Sequence, residues 1–231
     1  MVMKQAFFVT GTDTEVGKTH VTCALLHATR RQGRTTVGMK PIAAGVGDDG
    51  HNEDVTRLLA AGSITPPRDW VNPFLYDPFI APHIAARMAG RPIEIPMIQQ
   101  AFERLQALAD VVWVEGVGGF RVPLDEGHDT ADLARMLALP VVLVVGMRLG
   151  CINHALLTAE AIARRELTLA GWVANRIDPG MDCFEANLDT LRARLNAPLL
   201  GVVPYGDSPE QAASMLGLSV LPGFVAAPSA I

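Results

Sequence analysis

Lys18 and Thr19 close the stretch Gly11-Thr12-Asp13-Thr14-Glu15-Val16-Gly17-Lys18-Thr19, and their spacing suits phosphate. An ammonium there can reach the outer phosphates of a nucleotide, and a hydroxyl can ligate the Mg²⁺ that phosphates bring with them. Successive backbone N–H groups ahead of a helix would present partial positive charge to phosphate oxygens. Gly17 lets the backbone approach without a Cβ in the way. The written pattern G-x-x-x-x-G-K-[ST] wants its first glycine where Thr12 stands. Gly11 lies one residue further back, a slight alteration of the phosphate loop.

Three more positions could join this chemistry. Lys40, before Pro41, falls at the carboxyl end of a short strand, where open α/β sheets bind ligands; it also reads as a solvated strand-end lysine. Asn52-Glu53-Asp54-Val55 reads as a helix start with Asn52 as N-cap. Its acids either complement the helix dipole or hold Mg²⁺. Glu115 ends the apolar run Val111-Val112-Trp113-Val114, which is the Walker B arrangement with Glu in place of Asp. Gly116-Val117-Gly118-Gly119 behind it lets backbone pass close to a ligand. Asn175-Arg176-Ile177-Asp178 follows another strand and resembles a base-reading segment, with the choice of base open. His83 either acts on substrate or starts a helix. Cys151 reads as a small buried residue.

Strands and helices must alternate to set these residues side by side. The pattern predicts strands at Ala6–Thr10, Arg34–Pro41, Asp110–Gly116, Leu139–Gly146, Leu167–Ala174 and Pro198–Val203. It predicts helices at Lys18–Gln32, from Asn52, over Ile98–Ala109, from about Asn153 to Arg164, over Asp182–Leu195, and from Ser208. Ala43–His51 reads as a loop. The proline-rich stretch 63–96 predicts one short strand, Phe74–Tyr76, and one short helix, His83–Met88. The tail from Pro222 reads as loose. Nearly continuous apolar strands require cover on both faces. The expected class is therefore α/β: a doubly wound, mostly parallel sheet with helices on both faces, in one domain over 1–231. All the flagged loops follow strand carboxyl ends, so they gather on one edge.

Composition agrees. Of 231 residues, 49% are hydrophobic, enough for a large core, and the net charge of −5 disfavours a nucleic-acid partner. The three cysteines are far apart and form neither a disulfide framework nor paired zinc spacing. The longest apolar stretch, Leu139–Met147, is too short to span a bilayer, so the expectation is no membrane partner and a cytoplasmic location.

Along almost its whole length the sequence resembles dethiobiotin synthetase, a family of the P-loop NTPase type. The matching segments are VTGTDTEVGKT (Val9–Thr19), Met39–Gly45, Val71-Asn72-Pro73, Pro82-His83, VEGVGG (Val114–Gly119), Val144–Asn153, Gly171–Asn175, Ala197–Gly201 and Pro204. The order and spacing of these segments together carry the resemblance. It implies an ATP- and Mg²⁺-dependent ligase that closes 7,8-diaminononanoate and CO₂ into dethiobiotin, in biotin biosynthesis. One amine takes up CO₂ as a carbamate, the carbamate oxygen attacks the γ-phosphate, and the second amine closes the ring and releases phosphate.

Carried over by position, the resemblance makes Lys40 and Lys18 catalytic. It assigns Glu15, Val16, Gly17, Lys18, Thr19 and His20 to the nucleotide, with Asp54, Glu115, Gly116, Val117 and Gly118. Asn175, Arg176, Pro204, Tyr205, Gly206 and Glu210 would surround ribose and base. Thr19, Asp54 and Glu115 would hold Mg²⁺. Thr14, Lys40 and Gly118 would line the diamine pocket. Leu149, Gly150 and Asn153 would reach the substrate carboxylate across a homodimer. Ala44 and Asn187 stand where relatives carry a hydroxyl residue and a tyrosine. The alternative is a partitioning-type P-loop ATPase acting through protein partners. Those relatives carry an extra lysine early in the loop, where this chain has Thr12, Asp13 and Thr14.

Overall fold

A computed structural model describes residues 4–224. The elements run β1 (Gln5–Gly11), α1 (Lys18–Arg31), β2 (Thr36–Met39), β3 (Ile42–Ala44), α2 (Glu53–Ala61), α3 (Arg68–Val71), β4 (Phe74–Tyr76), α4 (Pro82–Met88) and α5 (Ile95–Leu108). They continue with β5 (Val111–Glu115), α6 (Thr130–Met136), β6 (Val141–Gly146), α7 (Cys151–Arg164), β7 (Leu169–Asn175), α8 (Phe184–Arg194), β8 (Leu199–Val203) and α9 (Pro209–Ala212). Six strands form one parallel sheet in the order β2-β5-β1-β6-β7-β8. The two-residue side-chain period of the strands divides the core between two faces. Phe7, Val9, Val111 and Trp113 pack with Val21, Leu25 and Leu26 of α1. Phe8, Val112 and Val114 pack on the other face with Ile98, Phe102 and Leu105 of α5. β1 is central, so the loop after it lies at the middle of the carboxyl edge, where the chain winds off in both directions.

The doubly wound parallel sheet is as the sequence predicts, and four local readings are corrected. Ala43–His51 is not all loop: Ile42–Ala44 pairs with Phe74–Tyr76 as a separate two-stranded sheet. An unforeseen turn of helix, α3, lies in the proline-rich stretch. The helix expected over Ile98–Ala109 begins earlier, at Ile95, with Pro96 in its first turn, where the missing N–H costs nothing. The short α6 was not foreseen; a capping box of Asp129 and Asp132 starts it. Phe224, in the tail that reads as loose, is better held than expected. Phe224 is buried against Phe7 and Trp113, while 225–231 lie outside the described residues.

Candidate functional site

The loop after β1 is shaped by its glycines. Gly17 has φ of +79°, and a Cβ there would stand 2.2 Å from Asn175 Nδ2. A Cβ on Gly11 would stand 2.6 Å from Val16 Cγ2. Asn175 Nδ2 donates to Val16 O at 2.9 Å, so the loop is clamped from the end of β7. No side chain caps the first turn of α1, which leaves its orphan N–H groups facing the loop. Lys18 Nζ donates to Asp13 O at 3.0 Å. Burial, and after it the nearby Lys40 ammonium, lower the Lys18 pKa to about 8.

Lys40, Asp54, Glu115 and Thr19 meet beside this loop. β2 and β5 pair Met39 with Val114, which carries the next residue of each strand, Lys40 and Glu115, to the same edge. Lys40 Nζ donates to Glu115 Oε1 at 2.6 Å and to Asp54 Oδ2 at 2.8 Å. Thr19 Oγ1 donates to the same Glu115 oxygen at 2.7 Å. The backbone of Lys40 is anchored too. Its N–H donates to Val71 O, and its carbonyl accepts from Asn72 Nδ2 at 2.6 Å. Asp54 stands in the first turn of α2, which Asn52 caps by accepting from the Val55 N–H.

The electrostatics follow from burial. Desolvation alone would lower the Lys40 pKa, but the Glu115 and Asp54 carboxylates outweigh it and hold the ammonium above its ordinary range. Desolvation would raise the Asp54 carboxyl, and Lys40 with its hydrogen bond outweighs that and holds it low. Glu115 is fully buried, and its Oε2 lacks a hydrogen-bond partner among the described residues. A buried orphan carboxylate oxygen is costly unless a cation or donor meets it. Two carboxylates and a hydroxyl are hard oxygen donors of the kind Mg²⁺ prefers. No group of three or more His, Cys, Asp or Glu among the described residues could hold a metal.

A cavity of about 280 Å³ opens over these groups. Of the residues flagged in the sequence, Thr14, Glu15, Gly17, Lys18, Thr19, His20, Lys40, Asp54, Glu115, Val117 and Gly118 line it. Val16 and Gly116 do not: Val16 is packed in the core, and a Cβ on Gly116 would stand 3.0 Å from the Phe8 ring. Arg176, Pro204, Tyr205 and Gly206 follow β7 and β8 on the same sheet edge, outside that cavity. Glu210 lies near His27, and its backbone carbonyl accepts from Arg31. Leu149, Gly150 and Asn153 stand at the start of α7, with Leu149 96% exposed. His83 lines a different cavity, with Arg87 and Asp125. Cys151 is buried, as read. Arg57 and Phe79 were missed. Arg57 was legible, one helical turn from Asp54 on α2. Phe79 sits in irregular backbone, where no period points to it.

Comparison with known proteins follows the same line. A family model described as an AAA domain matches residues 5–213. The chain is 59% identical over 223 residues to the ATP-dependent dethiobiotin synthetase BioD of Aromatoleum aromaticum, covering 94% of this chain and 99% of that one. It is 56% identical over 205 residues to the protein of the same name from Nitrosospira multiformis, covering 89% and 90%. Among solved structures, chloroplast FtsY from Physcomitrella patens superposes with a TM-score of 0.55 at 16% identity, over 90% of this chain and 60% of that one. A chain of the MinC:MinD cell division protein complex of Aquifex aeolicus gives 0.52 at 15% identity, over 94% of this chain and 88% of that one. At that identity these two likenesses speak to the fold alone.

Proposed function

The chain belongs to the ATP-dependent dethiobiotin synthetase family, and we propose from that premise how its own residues close the ring of dethiobiotin. It is an ATP-dependent cyclo-ligase of biotin biosynthesis, and its substrates are ATP and 7,8-diaminononanoate. CO₂ is the proposed one-carbon source. One amine of the diamine adds to CO₂ and loses a proton, giving a carbamate. A carbamate oxygen attacks the γ-phosphorus, the bond to ADP breaks, and a carbamic-phosphoric anhydride forms. The second amine then attacks the carbonyl carbon, expels phosphate and completes the cyclic urea.

The observation that carries this reading is a lysine buried against two carboxylates beside a phosphate loop. Carbamate and γ-phosphate are both anions, so they approach only with cations between them. Lys18 would hold the outer phosphates, and Lys40 would meet the carbamate and the charge developing on the transferred phosphoryl group. Thr19, Asp54 and Glu115 would hold Mg²⁺, which when bound would draw negative charge from the phosphate oxygens. Thr14 and Gly118 would line the diamine, and the tethered amine would make the last step effectively unimolecular. Arg176, Pro204, Tyr205, Gly206 and Glu210 would enclose ribose and base. Leu149, Gly150 and Asn153 would reach the substrate carboxylate of a partner copy in a homodimer; the high exposure of Leu149 and Leu157 supports that reading. The proposed organisation is one domain over 1–231. A cytoplasmic location fits a biosynthetic enzyme, and no helix among the described residues is long and apolar enough to cross a membrane. The partitioning-type alternative rests on distant structural likeness alone.

Phosphate release from ATP, Mg²⁺ and bicarbonate, with and without 7,8-diaminononanoate, tests the assignment. The expected result is release that depends on the diamine, a product of the cyclic-urea mass, and loss of both in Lys40→Ala. Hydrolysis indifferent to the diamine would overturn it.

A further inference from the structure

Arg148 lies two residues beyond the end of β6, outside the cavity, yet its guanidinium turns back to the phosphate loop. Its Nη2 donates to Asp13 Oδ2 at 2.8 Å. Asp13 is tied at two more points. Its Oδ1 accepts from the Thr14 N–H at 2.8 Å, and its carbonyl accepts from Lys18 Nζ at 3.0 Å. One residue therefore links the diamine-lining Thr14, the phosphate-binding Lys18 and the segment that enters α7. The neighbouring contacts run the same way. Thr12 N donates to Val144 O at 3.0 Å, and a Cβ on Gly146 would stand 2.7 Å from Val16 Cγ1. Past Arg148 the segment is less supported. Leu149 is 96% exposed, and Gly150 adopts φ of +93° with open space around its Cα.

A carboxylate within a loop that cradles polyphosphate opposes its ligand unless a cation compensates it. We propose that Arg148 is a positioning residue, which compensates Asp13 and locks the phosphate loop to the Leu149–Asn153 segment. The ion pair thereby couples the nucleotide site to the site of the substrate's carboxylate end. This inference rests on the reading above, that both segments serve one reaction. Both partners are nearly half exposed, at 41% and 47% of their side chains. Exposed pairs add little to stability, so the effect of losing this one falls on binding rather than folding.

A double-mutant cycle of Arg148→Ala, Asp13→Asn and both together tests it, with ADP·Mg²⁺ titrated calorimetrically and the KM for diamine measured beside it. Arg148→Ala is expected to weaken ADP and raise the diamine KM, each by roughly five- to tenfold, the range of coupled neighbours. The melting midpoint should stay within about 2 °C of wild type. Asp13→Asn in the Arg148→Ala background should recover most of the ADP affinity, because the uncompensated charge is gone. Arg148→Lys should retain part of the effect. Additive single effects, or an Arg148→Ala protein that binds ADP and diamine as wild type does, would overturn the proposal. The ADP titration needs no turnover. A wild-type protein that forms no cyclic urea would count against the proposed reaction, while the titration would still decide whether Arg148 supports the phosphate loop.

Discussion

A lysine ammonium buried between two carboxylates bears on folding and, in the proposed reaction, on chemistry, and the two roles would separate by mutation. Lys40 meets Glu115 at 2.6 Å, and Glu115 is wholly withdrawn from water. Replacing Lys40 by Met leaves that carboxylate uncompensated in a low-dielectric site, at a cost of about 3–5 kcal/mol. The expected melting midpoint therefore drops, and diamine-dependent phosphate release falls by about 10²–10³-fold as the cation over the reacting anions is lost. Adding Glu115→Gln removes the stranded charge. The double variant should regain part of its melting midpoint and none of its turnover. Equal midpoints for wild type and Lys40→Met, read by calorimetry, would mean the pair carries no net stability. These residue types were legible in the chain, because a glycine loop before a helix and an acid ending a buried strand have few other uses. Their convergence was less so. Lys40 also reads as a solvated strand-end lysine and Asp54 as a complement to the helix dipole; the β2–β5 register and the Asn52 cap bring both together, with Lys40 bridging Asp54 and Glu115.

At the scale of elements, α6 shows how a short helix can be fixed without a periodic signal. Its seven residues offer too little pattern to read, and its start depends on charges far along the chain. Asp129 Oδ1 accepts from the Asp132 N–H, and Asp132 Oδ2 accepts from the Asp129 N–H. Arg165, beyond the end of α7, pairs with both carboxylates, and Arg121 pairs with Asp129. The capping hydrogen bond is worth about 1 kcal/mol, and the stranded arginines add to the loss, so Asp129→Ala should cost about 2 kcal/mol in urea unfolding. The pH sign follows from the direction of the shift. Burial would raise the Asp129 carboxyl; the Asp132 N–H and the Arg121 and Arg165 guanidinia outweigh it and hold it low. A depressed carboxyl contributes stability above its unfolded pKa of about 3.9, and that contribution is lost as pH falls through the folded value. Between pH 5 and the acid limit of folding, wild type should therefore lose more stability than Asp129→Ala. Parallel curves would assign the network no part in acid unfolding.

Across the whole molecule, the parallel sheet and its single ligand edge are legible in the chain, since buried apolar runs joined by helices have one usual handedness, whereas the order β2-β5-β1-β6-β7-β8 is set by packing that no local pattern specifies. What sequence periodicity misses is packing between distant positions, and Phe224 is the clearest case. Pro222–Phe224 has no period, so it reads as loose. Yet Phe224 lies 6.0 Å from the Phe7 ring and 6.4 Å from Trp113, under the Arg34 guanidinium at 4.8 Å. Phe7 and Trp113 themselves stack at 4.9 Å on the neighbouring strands β1 and β5, so Phe224 closes the core over their face. Deleting a buried phenyl ring costs about 3–5 kcal/mol, toward the lower figure where neighbouring side chains can collapse into the space. Phe224→Ala is therefore expected to lose about 3 kcal/mol in denaturant unfolding, and Phe224→Leu less than half of that, because most of the apolar area remains. The phosphate loop leaves the carboxyl end of β1 at Gly11, four residues beyond Phe7 and so about 13 Å along the strand at about 3.3 Å per residue. ADP affinity should consequently be unchanged in both variants while they remain folded. A stability loss graded by side-chain volume with constant ADP affinity would make the last described residues a structural closure of the sheet. A parallel fall in ADP affinity would instead show that strain at the amino ends of the strands reaches the carboxyl edge, where the site is built.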